Sequence, residues 1–233
     1  MENIPTYWIF YLTLLVAAIL PRVPILGKYF QVFNTLIHEN GHAIVALLTM
    51  GKIRKIELFA DTSGSTITMT NNRISRFLTS LAGYPASAGA AFLLYFLLKQ
   101  QQEFTILISI GALIAINLLL FVRNTYGIIW LISFGGLLYF LFYMDNPLAM
   151  RTAVIFFAGI LFWGSLLSPA YLIVMAWRFP KNAGDATNLN KLTGIPSFLW
   201  SVLFFVSSLW IAWFTIQLFP LTEKITEFIN KVL

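Results

Sequence analysis

The chain has 233 residues, of which 59% are hydrophobic, 16% aromatic and only 10% charged. This composition excludes a soluble globular protein and predicts a single membrane-embedded domain over residues 1–233. The net charge of +6 does not indicate nucleic-acid binding, because the fifteen Lys and Arg residues stand singly at the ends of apolar segments, where they anchor helices at the bilayer surface.

Long apolar runs predict an all-α polytopic membrane protein with about seven helices, six to seven of which span the bilayer. The first run has no basic residue before it and no small-residue cleavage site after it, so we interpret it as a retained span and not a signal peptide. The runs cover residues 7–20, 30–50, 77–98, 104–122, 126–144, 152–177 and 196–218.

The pentapeptide His38-Glu39-Asn40-Gly41-His42 lies in the second run and contains both histidines of the chain. Residues four apart fall on one face of a helix, so the two imidazoles can bind one cation. The adjacent Glu39 can then act as a general base, which is why this spacing recurs in zinc metalloproteases. The alternative is a neutral histidine pair that only makes hydrogen bonds between helices.

Residues 51–70 do not have a helical pattern. Ile67 and Met69 alternate with threonines, and the turn-forming residues Asp61 to Gly64 precede them. This pattern predicts a small β-hairpin at the membrane interface, directly after the metal-binding helix; a plain interfacial loop is the alternative. Five basic residues lie between the second and third apolar runs and favour a cytoplasmic position for the hairpin and for the amino terminus: Lys52, Arg54, Lys55, Arg73 and Arg76.

A third metal ligand must be a carboxylate, because the chain has no cysteine and no third histidine. Among the nine carboxylates, Asp185 lies in the polar loop 178–195, which four predicted spans separate from the hairpin. An even number of spans brings both loops to the same face of the membrane. Glu57 and Asp61 are explained as a strand residue and a turn former, and the alternative role for Asp185 is a helix cap.

Several segments together resemble the site-2 protease superfamily of intramembrane zinc metalloproteases, and most closely its compact bacterial M50B-like branch. The resemblance covers residues 30 to about 200 and implies that Asp185 completes the zinc shell. The segments that carry it are His38 to Ala43, Leu47 to Ile53, Ser63-Gly64, Ala82-Gly83-Tyr84-Pro85, Gly184-Asp185-Ala186, Leu192 to Pro196 and Trp200.

One departure from the family pattern concerns the oxyanion. Many site-2 proteases have Asp-Gly in a longer Asn-Pro-Asp-Gly context, whereas this chain has Asp185-Ala186. Family assignments of the oxyanion-stabilising residue therefore do not transfer. Asn182, Asn188 and Asn190 are the candidates for oxyanion or substrate contacts.

These observations predict an intramembrane endopeptidase of a bacterial cell membrane that holds one Zn²⁺ per chain and cleaves membrane-protein substrates. His38, His42 and Asp185 are the predicted ligands, and Glu39 is the predicted base. Thr66, Ile67 and Thr68 are predicted to bind the substrate as an added strand. The alternatives are a metal or proton transporter that uses the same residues, or a zinc-stabilised scaffold. The sequence gives no indication of oligomeric state.

Overall fold

The computed structural model describes residues 6–219, and side chains from residue 11 onward. It confirms the prediction of an all-α membrane fold with one small hairpin. The described helices are α1 Thr6–Ile19, α2 Leu26–Leu48, α3 Arg73–Lys99, α4 Glu103–Ile116, α5 Thr125–Tyr143, α6 Pro147–Arg178, α7 Gly184–Thr193 and α8 Ser197–Gln217. A π-helical turn, Asn117–Phe121, extends α4.

Five segments of the described chain are long and apolar enough to cross a membrane: α3, α4 with its π-helical turn, α5, α6 and α8. A sixth is counted when α1 and α2 are taken together, although the pair is bent by 104°. The total falls at the lower end of the prediction because α2 carries polar residues along one side, including Asn34, His38 and His42. The protein is therefore an integral membrane protein whose polar helix lies among apolar ones.

Helix α2 packs closely against α3 through small residues. A Cβ added at Gly41 would lie 2.5 Å from the Cβ of Ala86 and 3.1 Å from the carbonyl oxygen of Ala82. No larger residue fits at position 41 without moving α3. Small residues in the middle of α3 thus allow α2 to approach it closely.

Two buried asparagines join α2 to the π-helical turn. The Asn40 amide donates to Asn117 Oδ1 at 3.2 Å, and the Asn117 amide donates to Asn40 Oδ1 at 3.0 Å. Each amide also bonds a main-chain carbonyl of its own helix, so neither is left unsatisfied. This pair fixes the rotation of α2 about its axis at the level of Glu39.

The predicted hairpin consists of β1 Lys52–Leu58 and β2 Gly64–Met69, which pair antiparallel with a bulge between Ile53 and Lys55. At its turn, Asp61 accepts hydrogen bonds from the hydroxyl and the N–H of Ser63, and these hold the pKa of Asp61 below its usual range. Asp61 is thus a turn former.

The segment 178–195 differs from its prediction as a loop, because it contains the ten-residue helix α7. Ala186 and Leu189 are fully buried in a cluster with Trp200 and Phe204 of α8. Gly194 ends the helix in the left-handed conformation (φ 77°). Only two apolar positions face the protein, too few to give a recognisable helical period in a ten-residue segment.

Candidate metal centre

The two histidines of α2 project side by side, as their spacing predicts. Their Nε2 atoms are 3.1 Å apart, and the rings are nearly perpendicular with centroids 4.7 Å apart. The side chains are 17% exposed for His38 and 9% exposed for His42. Both donor atoms are therefore shielded by protein but remain reachable from one direction.

Asp185 approaches the histidines from the first turn of α7. Its Oδ2 lies 3.1 Å from His38 Nε2 and 3.2 Å from His42 Nε2. The Asp185 carboxylate makes no capping hydrogen bond to α7. The main-chain N–H of Ala183, at the start of this helix, donates to the Thr187 hydroxyl instead. The arrangement favours metal ligation over the alternative role of a helix cap.

The three donor atoms form a nearly equilateral triangle with sides of 3.1, 3.1 and 3.2 Å. Ligand atoms around a tetrahedral zinc ion at 2.0–2.1 Å are about 3.3 Å apart. Two nitrogens and one carboxylate oxygen are also a donor set that zinc accepts in catalytic sites, where a fourth position stays open. The cluster therefore fits a zinc ion in both size and chemistry.

The second ring nitrogen of His42 fixes its tautomer. His42 Nδ1 is 2.6 Å from the carbonyl oxygen of Thr79 on α3. A carbonyl only accepts, so Nδ1 donates this hydrogen bond, and Nε2 is the ring nitrogen left to bind a metal ion in the cluster. Nearby, a Cβ at Gly83 would lie 2.4–2.6 Å from atoms of both imidazoles. Glycine at position 83 thus leaves the space in which the two rings converge.

Glu39 is 6% exposed and is held by the hairpin. The Thr66 hydroxyl donates to Glu39 Oε2 at 2.6 Å and also lies 3.1 Å from the Glu39 carbonyl oxygen. Gly64 packs against the same side chain, since a Cβ there would lie 2.6 Å from Glu39 Oε1. The hairpin therefore sets the position of the carboxylate.

Thr66→Val removes the hydroxyl that orients Glu39 while preserving shape. Hydrogen bonds to charged groups contribute about 1.5–3 kcal/mol, so, with Glu39 in the predicted role of general base, we expect kcat for peptide cleavage to fall about 10-fold or more with metal content unchanged. Thr66→Ser, which retains the hydroxyl, is the matched control and should keep most of the activity. Peptide cleavage and metal content measured on the same preparations check this; equal rates for the two variants would show that the hydroxyl has no role.

The cluster opens into a cleft of about 1260 Å³. Helix α2 forms its floor, β2 and the hairpin turn form one side, and α3, α6 and α7 supply the remaining walls. Thr66, Ile67 and Thr68, the predicted substrate strand, all line it. Its volume leaves room for a peptide segment beside the three donor atoms.

The three candidate asparagines lie at different places. Asn182 and Asn188 line the cleft with exposed side chains, whereas Asn190 lies outside it and donates its amide to the Ile195 carbonyl at 2.8 Å. Asn190 is therefore poorly placed for a substrate contact.

Tyr84 is a further residue of the site that the sequence did not predict. Its ring meets the His38 imidazole edge to face at 4.6 Å and lies against Phe204 at 4.7 Å. Tyr84 therefore restricts the orientation of His38. Its signal in the sequence is the segment Ala82-Gly83-Tyr84-Pro85, which carries part of the family resemblance but does not indicate a contact with His38.

Comparison with known protein families gives a match over most of the chain. The family model described as Peptidase M50B-like matches residues 10–215, which is most of the chain. No curated protein and no solved structure gives a significant match. The matched range includes α2, the hairpin and α7, and therefore every residue of the cluster.

Proposed function

The chain belongs to the peptidase M50B-like family of membrane proteases, and on that premise we propose that it is a zinc-dependent endopeptidase that cleaves membrane proteins in or near the bilayer. The observation that carries the proposal is the triangle of donor atoms from His38, His42 and Asp185, with sides of 3.1–3.2 Å, beside the buried Glu39.

His38, His42 and Asp185 would hold one Zn²⁺ per chain through two Nε2 atoms and one carboxylate oxygen. When bound, the ion supplies Lewis-acid polarisation of the peptide carbonyl and makes water a better acid. Neighbouring groups set the positions of the three ligand side chains. The Thr79 carbonyl accepts a hydrogen bond from His42, the Tyr84 ring restricts the orientation of His38, and α7 places Asp185 beside both histidines.

Glu39 acts as the general base and then as the general acid. Its carboxylate takes a proton from the water that attacks the scissile carbonyl, and gives that proton to the leaving amine as the C–N bond breaks. The Thr66 hydroxyl bonds one carboxylate oxygen, Oε2, which leaves Oε1 for the proton transfer.

The substrate binds as an added strand along β2. The outer edge of β1 is closed, because the Arg123 N–H bonds the Ile56 carbonyl and the Asn124 side chain bonds both main-chain groups of Leu58. The main-chain N–H and C=O groups of Ile56 and Leu58 therefore point away from β2. In an antiparallel pair the residues opposite them do the same, so the main-chain groups of Thr66 and Gly64 point away from β1. By the same alternation Thr68 also presents its N–H to the cleft.

Thr68→Pro tests strand addition without breaking the hairpin. The missing N–H faces the cleft and not β1, so we expect the protein to fold and bind zinc while KM for a membrane-spanning peptide rises about 5–10-fold, the equivalent of one lost hydrogen bond. Thr68→Val retains the N–H and serves as the control. Cleavage kinetics identical to those of Thr68→Val would exclude pairing at this position.

The protein is an integral membrane protein, and we propose a bacterial cell membrane with the hairpin and the amino terminus on the cytoplasmic side. The excess of basic residues in the hairpin loop supports this orientation. In that orientation the cleft beside β2 and α7 gives cytoplasmic water a path to Glu39, as hydrolysis requires.

Metal removal tests the proposed activity. The probe is a fluorogenic peptide that contains a transmembrane segment, incubated with the full chain in detergent. We expect a zinc chelator to reduce cleavage more than 10-fold and one equivalent of Zn²⁺ per chain to restore it. A calcium-selective chelator should have no effect. Cleavage that persists after the metal has been removed would contradict the zinc mechanism.

A further inference from the structure

We propose that Asn34 is a substrate-binding residue whose carboxamide pairs with the main-chain N–H and C=O of one substrate residue close to the scissile bond. The inference rests on the proposed peptidase function and names a binding contact for it. Asn34 is not part of the metal motif and lies one helical turn before it.

Asn34 lies on the same face of α2 as the metal cluster. Positions 34, 38 and 42 are each four residues apart, so their side chains form one stripe along the floor of the cleft. The residue is 8% exposed, and its Oδ1 is buried without a hydrogen-bond partner in the described part of the chain. Because buried amides are nearly always paired, an unpaired one beside the cluster indicates a partner that arrives with the substrate.

The neighbouring helix leaves room for this amide. A Cβ added at Gly164 of α6 would lie 2.6 Å from Asn34 Cγ and 2.9 Å from both Oδ1 and Nδ2. Only glycine at position 164 allows the carboxamide to occupy its place. Asn182 and Asn188 differ, because their exposed amides are already solvated and gain less from a substrate contact.

Asn34 and β2 lie on opposite sides of the cleft floor. The hairpin is bound to one side of α2, where the Thr35 hydroxyl donates to the Thr62 carbonyl at 2.6 Å and Thr66 bonds Glu39. On the other side, Asn34 packs against Gly164 of α6. A peptide lying along the stripe therefore has β2 at one of its edges and Asn34 at the other.

The same protein contains this type of contact elsewhere. Asn124 uses its carboxamide to bond both the N–H and the C=O of Leu58, and so closes the free edge of β1. In an extended strand both groups of one residue point to the same edge, and successive residues alternate between edges. One substrate residue, between two that pair with β2, would meet Asn34 in the way that Leu58 meets Asn124.

The test compares two inhibitors on the full-length protein in detergent. Acetohydroxamate binds only the metal, whereas a hydroxamate joined to an extended tripeptide also occupies the cleft. We expect Asn34→Leu to leave acetohydroxamate affinity unchanged and to weaken the peptidyl hydroxamate about 10–100-fold. Gly164→Ala should weaken it similarly by displacing the amide, while Asn71→Leu, an exposed asparagine outside the cleft, should have no effect.

Replacing single peptide bonds of the inhibitor by esters identifies the contact. In the wild type, one of these esters should weaken inhibitor binding about 10-fold, because it lacks the N–H that donates to Asn34. In Asn34→Leu the same ester should not weaken inhibitor binding any further. The thermal midpoint of Asn34→Leu should equal or exceed that of the wild type, because no protein partner is lost. Asn34→Ala repeats the measurement with a smaller side chain if leucine does not fit.

Three results would overturn the inference. Equal weakening of both inhibitors would mean that Asn34 acts on the metal site, and ester effects that are additive with Asn34→Leu would mean that it does not touch the peptide. Unchanged affinity for both inhibitors would mean that it has no binding role. If the wild type binds neither inhibitor, the proposed zinc peptidase itself is wrong, and that outcome differs from the other three.

Discussion

Glu39→Gln is expected to abolish peptide cleavage while the protein retains its zinc. The three donor atoms do not include Glu39, and glutamine has nearly the same shape and can still accept the hydrogen bond from Thr66. It cannot take up a proton, so the loss of general-base catalysis should lower kcat about 10²–10⁴-fold. Cleavage of the transmembrane peptide and metal content, measured on one preparation, check the expectation.

The same variant separates the protease from the two alternatives raised by the sequence. A transporter would lose ion flux in vesicles without ever cleaving the peptide, and a zinc-stabilised scaffold would keep its function and its metal. Peptide cleavage by Glu39→Gln at the wild-type rate would contradict the role of general base. The matched control is Glu57→Gln, because Glu57 is paired with Lys55 on β1 and does not line the cleft.

Asp185→Ala is expected to remove both zinc and activity. The carboxylate oxygen is one of three donors that the described part of the chain offers at this cluster, and it would supply a negative charge that two imidazole ligands lack. Loss of an outer-shell partner already weakens metal binding about 10–100-fold, so loss of a direct ligand should weaken it at least about 100-fold. Dialysis against a zinc buffer followed by metal analysis measures this.

Folding must be monitored in the same experiment. The buried residues Ala186 and Leu189 hold α7, not Asp185 itself, so the circular dichroism spectrum of the variant should match that of the wild type. Glu57→Ala and Asp61→Ala each remove a carboxylate of the hairpin that is not part of the cluster, and both variants should keep zinc. Stoichiometric zinc in Asp185→Ala, or its loss in Glu57→Ala, would assign the third ligand elsewhere.

Much of the fold could be predicted because the bilayer imposes long apolar runs and because the hairpin has its own alternation. The position of Asp185 relative to the histidines followed from counting the spans between the hairpin and residues 178–195. The structure has α3, α4, α5 and α6 in that interval, also an even number. The sharp bend between α1 and α2 lies before the hairpin and so does not affect this count.

Other parts of the site could not be predicted, since they depend on contacts between helices distant in sequence. The Thr79 carbonyl that orients His42 is a main-chain group and carries no sequence signal. Gly164 on α6 leaves space for the side chain of Asn34 on α2. The two residues are 130 positions apart in the chain, so a single sequence cannot reveal this contact. Helix α7 forms because it docks against α3 and α8, and its own ten residues are too polar to indicate it.

The central claim is that His38, His42 and Asp185 share one zinc ion. A crystal of the full chain grown with zinc, measured at the zinc absorption edge, tests it directly by anomalous scattering. We predict one peak per chain, about 2.0–2.2 Å from the two Nε2 atoms and from a carboxylate oxygen of Asp185. A peak bound by other residues, or none at this cluster when zinc is present in the crystal, would contradict the claim.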